Sequence, residues 1–297
     1  MYDRFAFGQD GHFFCKKEGE NLNQNWIVEN LNNAFSTWNG KLGELWGLVT
    51  TGPQTFKGGA VWSVMQTLHN GMVGIGYALV VLFFAISLCK NTMNFHELKR
   101  PEAAIHYFLR FVAAKALVGY GMDIMLNIFS ICNGIVTDMA NSMGGISEAM
   151  VSLPAEMQTA IENVGFLASI PLWLVTILGS LFITVLSFVM ILTVYGRFFR
   201  LYMYTALAPL SLAAFAGEST QSVGISFLKS YVGVCLEGAV IVLACVIYSA
   251  FVSTPTVASG EATTIVWSYL AETVFNMLVL VGLIKGSDRI IHEMMGL

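Results

Sequence analysis

Charge is what this chain has least of. Only 11% of its 297 residues are Asp, Glu, Lys or Arg, against roughly 25% in an average soluble domain, and a chain this poor in charge cannot clothe a water-soluble surface. Basic clusters are missing too. Nothing exceeds Lys99-Arg100 and its neighbours, and the formal net charge is -4, which argues against nucleic-acid binding through a basic face. The five cysteines, Cys15, Cys89, Cys132, Cys235 and Cys245, stand singly with no CxxC spacing. Four lie in apolar stretches, as small buried hydrophobes do, and no disulfide framework is spelled out. The chain opens on mixed polar residues, without the basic and then apolar segments of a cleaved signal peptide. No GxxxxGK[ST] phosphate loop, HExxH, GxSxG or paired Cys/His metal spacing occurs. The expectation is therefore a chain that is not an enzyme, with no catalytic, metal or cofactor-binding residues and no ATPase of its own. Energy for any transport must come from a partner or from ion flow.

Long apolar runs are what the chain does have. Between Glu162 and Arg197 there is no charged residue, well over the roughly 20 residues needed to cross a hydrocarbon core of about 30 Å. The stretch from about Val164 to Gly217 is read as the packing centre of an all-α polytopic membrane bundle. Arg197 and Arg200 anchor its cytoplasmic end. Pro209 removes a backbone donor and crowds the preceding turn, so the helix is expected to kink or break between Thr205 and Pro209, leaving a re-entrant or steeply kinked segment.

The remaining elements follow in order. Residues 1–57 form a polar segment and an amphipathic helix, and residues 58–297 form the transmembrane bundle. In the first, Leu22, Trp26, Ile27, Leu31, Phe35, Trp38, Leu42, Leu45, Trp46 and Val49 recur at helical spacing, opposite a face of Asn, Ser and Thr. Its tryptophans place it along a membrane surface or against a partner subunit, with packing on its own bundle as the alternative. Thr51-Gly-Pro53 and Lys57-Gly-Gly59 mark a hinge. Spans are expected at about Val64 to Cys89, Ala103 to Val136, the central run, Lys229 to Val252 and Thr264 to Ile284, with a short amphipathic tail from Lys285. Gly71, Gly74 and Gly76 offer a close approach to another helix, as does the Gly282/Gly286 pair. His69 reads as a polar residue near the interface. Between Thr137 and Asn163, an acidic loop holds one short helix after Pro154. Lys90, Lys99 and Arg100, then Arg197 and Arg200, then Lys285 and Arg289 fall on one side, which places the N-terminus outside and the C-terminus in the cytoplasm.

Four ionisable residues fall inside apolar helices: Lys115, Asp123, Glu237 and Glu272. Such residues are costly in lipid, and by default they mark a specific pair or a wet pathway. Lys115 and Glu237 both lie about 12 Å from the cytoplasmic ends of their helices, which makes them an interhelical ion pair on the sequence reading. With Arg197, Arg200 and Pro209 they complete the candidate site.

The run Arg197-Phe-Phe-Arg200-Leu-Tyr-Met-Tyr-Thr-Ala-Leu-Ala-Pro209-Leu-Ser-Leu-Ala-Ala-Phe215, preceded by about two spans and followed by two more, resembles the TrbL/VirB-type polytopic membrane family of conjugative type IV secretion systems. The resemblance covers roughly Gly58 to Gly286, and the short loop at Thr137 to Asn163 departs from members with a large external domain. It implies a channel or scaffold subunit of the bacterial inner membrane, acting beside dedicated ATPases to pass DNA with its relaxase, or protein effectors. The partners it implies are other membrane subunits of the apparatus, further copies of the chain, the lipid bilayer and, transiently, the transferred DNA or relaxase. A secondary transporter or ion channel using the intramembrane acids is the alternative.

Overall fold

The computed structural model describes residues 17–92, 101–142, 150–162, 166–251 and 262–296. Their regular structure is helical throughout: α1 Lys17–Thr50, α2 Ala60–Thr92, α3 Pro101–Gly119, α4 Gly121–Ser142, α5 Ala155–Glu162, α6 Phe166–Ala213, α7 Gln221–Phe251 and α8 Ala262–Met295. Four stretches, Phe56–Lys90, Ile170–Ala216, Gln221–Ala250 and Thr264–Met295, are long and apolar enough to cross a membrane. A bent pair, Ile105–Gly119 with Gly121–Asn141, supplies a fifth if counted as one span. This is the all-α polytopic membrane class that the lack of charge requires, since only closed hydrogen-bonding elements survive in lipid.

The chain divides into two compact units. The first holds Met1–Gly40, Val151–Ser187 and Ser253–Leu278, the second Lys41–Met150, Phe188–Val252 and Val279–Leu297. In the first unit α1 buries Ile27, Leu31, Phe35 and Trp38. The Trp26 and Trp173 rings lie 5.8 Å apart, and Asn30 Nδ2 donates to Ser180 Oγ at 3.1 Å. Asn39 makes both bonds to the Val151 backbone, at 2.8 and 3.0 Å. The Tyr269 hydroxyl donates to Ser152 O. Thus α1 packs on its own chain, the alternative that the sequence left open. The short helix after Pro154 is α5, with Met157 and Ile161 buried.

In the second unit the 3₁₀ turn Ala214–Ala216 packs against α2, α3 and α7, and α4 lies along α7. The Tyr231 hydroxyl closes the α4–α7 contact by donating to Met125 O at 2.9 Å. The expected hinge is real. Lys57, Gly58 and Gly59 take φ of 50°, 71° and 79°, a left-handed run that glycine tolerates and lysine resists. Phe56 is thereby turned onto Phe198, with stacked rings 4.0 Å apart. Tyr202 donates to Pro53 O at 2.8 Å.

Two expectations are corrected. The helix expected at Ala103 to Val136 is not continuous, because α3 and α4 meet at an angle of 72° around Tyr120. The glycines on either side explain the position: Gly119 leaves room for the Tyr77 hydroxyl, 2.8 Å from where a Cβ would stand. Asp123 falls in the first turn of α4, where the positive end of the new helix favours a carboxylate. Conversely, α6 does not break at Pro209. It continues to Ala213, and the chain turns only at 217–220.

His69 is why the helix survives the proline. Residue 209 has no N–H, so the carbonyl four residues earlier, Thr205 O, lacks its helical donor. His69 Nδ1 lies 2.7 Å from that oxygen, and since a carbonyl only accepts, Nδ1 carries the proton. Both residues are buried, so an unmet carbonyl there costs about 1–3 kcal/mol. Gly76 lets α2 come this close: a Cβ on it would stand 2.9 Å from Pro209 O and 3.0 Å from Val118 Cγ1. His69 is thus a buried partner of α6.

Candidate functional site

Spans in lipid gain little from burying apolar surface against one another, so packing and polar ties carry their specificity. The second unit concentrates such ties on one stretch of α6. Arg197 is fully buried and makes no direct ion pair among the described residues. Its Nε donates to Val234 O at 3.3 Å, Nη2 to Cys235 O at 3.2 Å and Nη1 to Val49 O at 3.5 Å. Val49 lies in the last turn of α1, where carbonyls lack helical donors and the helix end carries partial negative charge. Asn133 of α4 donates to the neighbouring Thr50 O at 3.3 Å. The end of α1 is therefore capped by side chains of two other helices.

The guanidinium fits only because residue 238 is glycine. A Cβ there would lie 2.8 Å from both Nη1 and Nη2 and 2.9 Å from Cζ. Cys132 and Cys235 are buried beside it; Cys245 on α7 is buried elsewhere on that helix, and Cys89 is exposed. Cys15 lies outside the described residues.

One turn along α6, Arg200 reaches across two helices. Its Nη2 meets Glu237 Oε1 at 2.7 Å and Oε2 at 2.8 Å, and its Nη1 donates to Asp288 of α8. The Ser287 hydroxyl lies 3.3 Å from Glu237 Oε1 and donates to Ile284 O at 2.7 Å. His292 Nε2 stands 3.7 Å from Asp288 Oδ1. Glu237 is 1% exposed and Asp288 44%, so the cluster grades from a buried interior to an exposed rim. Two guanidinium cations face two carboxylates, and the sum of formal charge is zero. Neutrality and bidentate geometry are what make a buried group of ions tolerable.

The structure thus brings Arg197, Arg200 and Glu237 together, but not Lys115. Glu237 closes on Arg200 instead, and Lys115 lies exposed on α3. The sequence estimate compared depths along two helices, whereas partner choice depends on which faces meet. Asp123 and Glu272 are also exposed on their helices, and Pro209 is buried against α2. Asp288, Ser287 and Gly238 were missed. Asp288 had a signal: it sits between Lys285 and Arg289, where an acid among membrane-end bases asks for a partner. Gly238 had none, because its role is to leave space for a residue 41 positions away.

Among the described residues no group of three or more His, Cys, Asp or Glu is placed to hold a metal ion. What the arrangement does is hold α1, α6, α7 and α8 in one register. Apolar spans tied by a neutral ion cluster define a polytopic membrane protein. The sequence profile of the family described as TrbL/VirB6 plasmid conjugal transfer like protein matches residues 38–209, more than half of the chain. The chain belongs to that family, and is a multi-pass membrane component of a conjugal transfer apparatus. Comparison with curated proteins and with solved structures returned no match.

Proposed function

We propose that the chain is a channel or scaffold subunit of a type IV secretion apparatus, helping DNA–protein or protein substrates across the cytoplasmic membrane while separate ATPases supply the energy. The observation that supports this most is the Arg197–Arg200–Glu237–Asp288 cluster. It ties three long helices and the end of a fourth. A subunit that must keep its shape while a large substrate passes needs such fixed polar ties, because lipid supplies no force between apolar spans. On this reading the N-terminus is outside and the C-terminus cytoplasmic. Several copies work with the other membrane subunits, and contact with DNA or relaxase is transient. The exposed Lys115, Asp123 and Glu272 face neighbouring subunits or water, since lipid would penalise them.

Transfer frequency from a donor lacking the gene tests the reading. Restoring the wild-type chain should restore transfer, and Gly238→Leu, which expels Arg197, should not. Undiminished transfer without the gene would sink the proposal.

A further inference from the structure

One face of α1 is unaccounted for. Opposite its buried side, Glu29, Asn32, Asn33, Ser36, Gly40, Gly43 and Gly47 are exposed, at three- and four-residue steps along one stripe. None of Glu29, Asn32, Asn33 or Ser36 makes a side-chain hydrogen bond among the described residues, and a Cβ at Gly40, Gly43 or Gly47 would meet nothing within 4 Å. Within the first unit, contacts fix the level of this stripe. Trp26 meets Trp173, and Asn30 meets Ser180. Beside those α6 residues, Ile170, Leu174, Leu178, Leu181, Phe182 and Val185 are exposed, with no charge among them.

The two faces of this unit ask for different surroundings at the same depth. The α6 face suits hydrocarbon. The α1 face presents a carboxylate, two amides and a hydroxyl with no side-chain partner among the described residues, then bare backbone at glycine. Each unmet polar group in lipid costs several kcal/mol, and an unpaired carboxylate more. A dry protein neighbour would have to neutralise Glu29 and satisfy every amide, whereas water does so at no geometric demand. We propose that the outward stripe of α1, from Glu29 to Gly40, borders a water-filled path at the depth where α6 borders lipid. The inference deepens the channel reading and rests on it for what the path carries, but not for the presence of water.

Single cysteines at Asn33, Ser36 and Gly40, with controls at Leu174, Leu181 and Val185, test it in cells carrying the complete apparatus. The probe is a charged, membrane-impermeant methanethiosulfonate, and the wild-type chain reports the background of native cysteines. The three α1 positions should label faster than the α6 controls by about tenfold or more, because reaction needs a hydrated thiolate. Equal rates on both helices would overturn the inference, as would labelling confined to α6. Ser36→Cys changes one atom and keeps the result decisive if the other variants fail to accumulate. Transfer frequency, measured on the same cells before and after labelling, separates the two claims. A labelled stripe with unimpeded transfer keeps the water and removes the channel reading. An unlabelled stripe in a chain still required for transfer does the reverse.

Discussion

Removing the Glu237 charge is the perturbation that most directly tests the ion cluster. In Glu237→Gln, Arg200 loses its bidentate partner at 2.7 and 2.8 Å and keeps only Asp288, which is 44% exposed. Breaking a buried pair on one side costs about 3–5 kcal/mol when the other charge is stranded. Here the lower end applies, because Arg200 is 28% exposed and can turn toward the exposed rim. A loss of about 3 kcal/mol corresponds to a fall of about 6–12 °C in unfolding temperature for a unit of this size. Removing both partners, in Arg200→Met with Glu237→Leu, should restore most of that loss, because apolar residues of similar volume replace a buried pair at little cost. The assay is thermal unfolding of the detergent-purified chain across the double-mutant cycle. Additive losses, with the double variant as damaged as the sum of the singles, would refute the argument that Glu237 serves to neutralise Arg200.

The remaining predictions concern packing. Gly238→Ala should cost about 1–3 kcal/mol by pushing the Arg197 guanidinium off its carbonyls, and thermal unfolding should show it. Gly76→Ala should be similarly damaging, while Gly71→Ala and Gly74→Ala should be neutral, since a Cβ meets nothing within 4 Å at either of the latter. His69→Ala should cost about 1–3 kcal/mol by orphaning Thr205 O. Pro209→Ala added to it should recover part of that, because alanine supplies its own N–H to the same oxygen. Equal stability of His69→Ala with and without Pro209→Ala would show that His69 acts by packing alone.

The class of the protein was legible from composition. Residues 170–192 carry no charge, and a run of that kind has one solvent. Helix periodicity likewise located the buried face of α1, and the Lys57-Gly-Gly59 hinge was written in its residue types. These are local properties, set by how each segment meets solvent or which backbone angles its residues accept.

What only the tertiary structure decided was partnership. Pro209 announces a lost hydrogen bond at Thr205 O, but the sequence cannot say that His69, 136 residues before Thr205, supplies the donor and so keeps α6 whole. The break went instead to Tyr120, where Gly119 meets the Tyr77 hydroxyl. Glu237 announces a need for a cation, and depth along the helix pointed to Lys115, yet Arg200 answers it because α6 and α7 bring those two faces together. Composition and periodicity report what each residue requires. Which residue meets the requirement depends on helix rotation and register, and those are set only when all the spans pack at once.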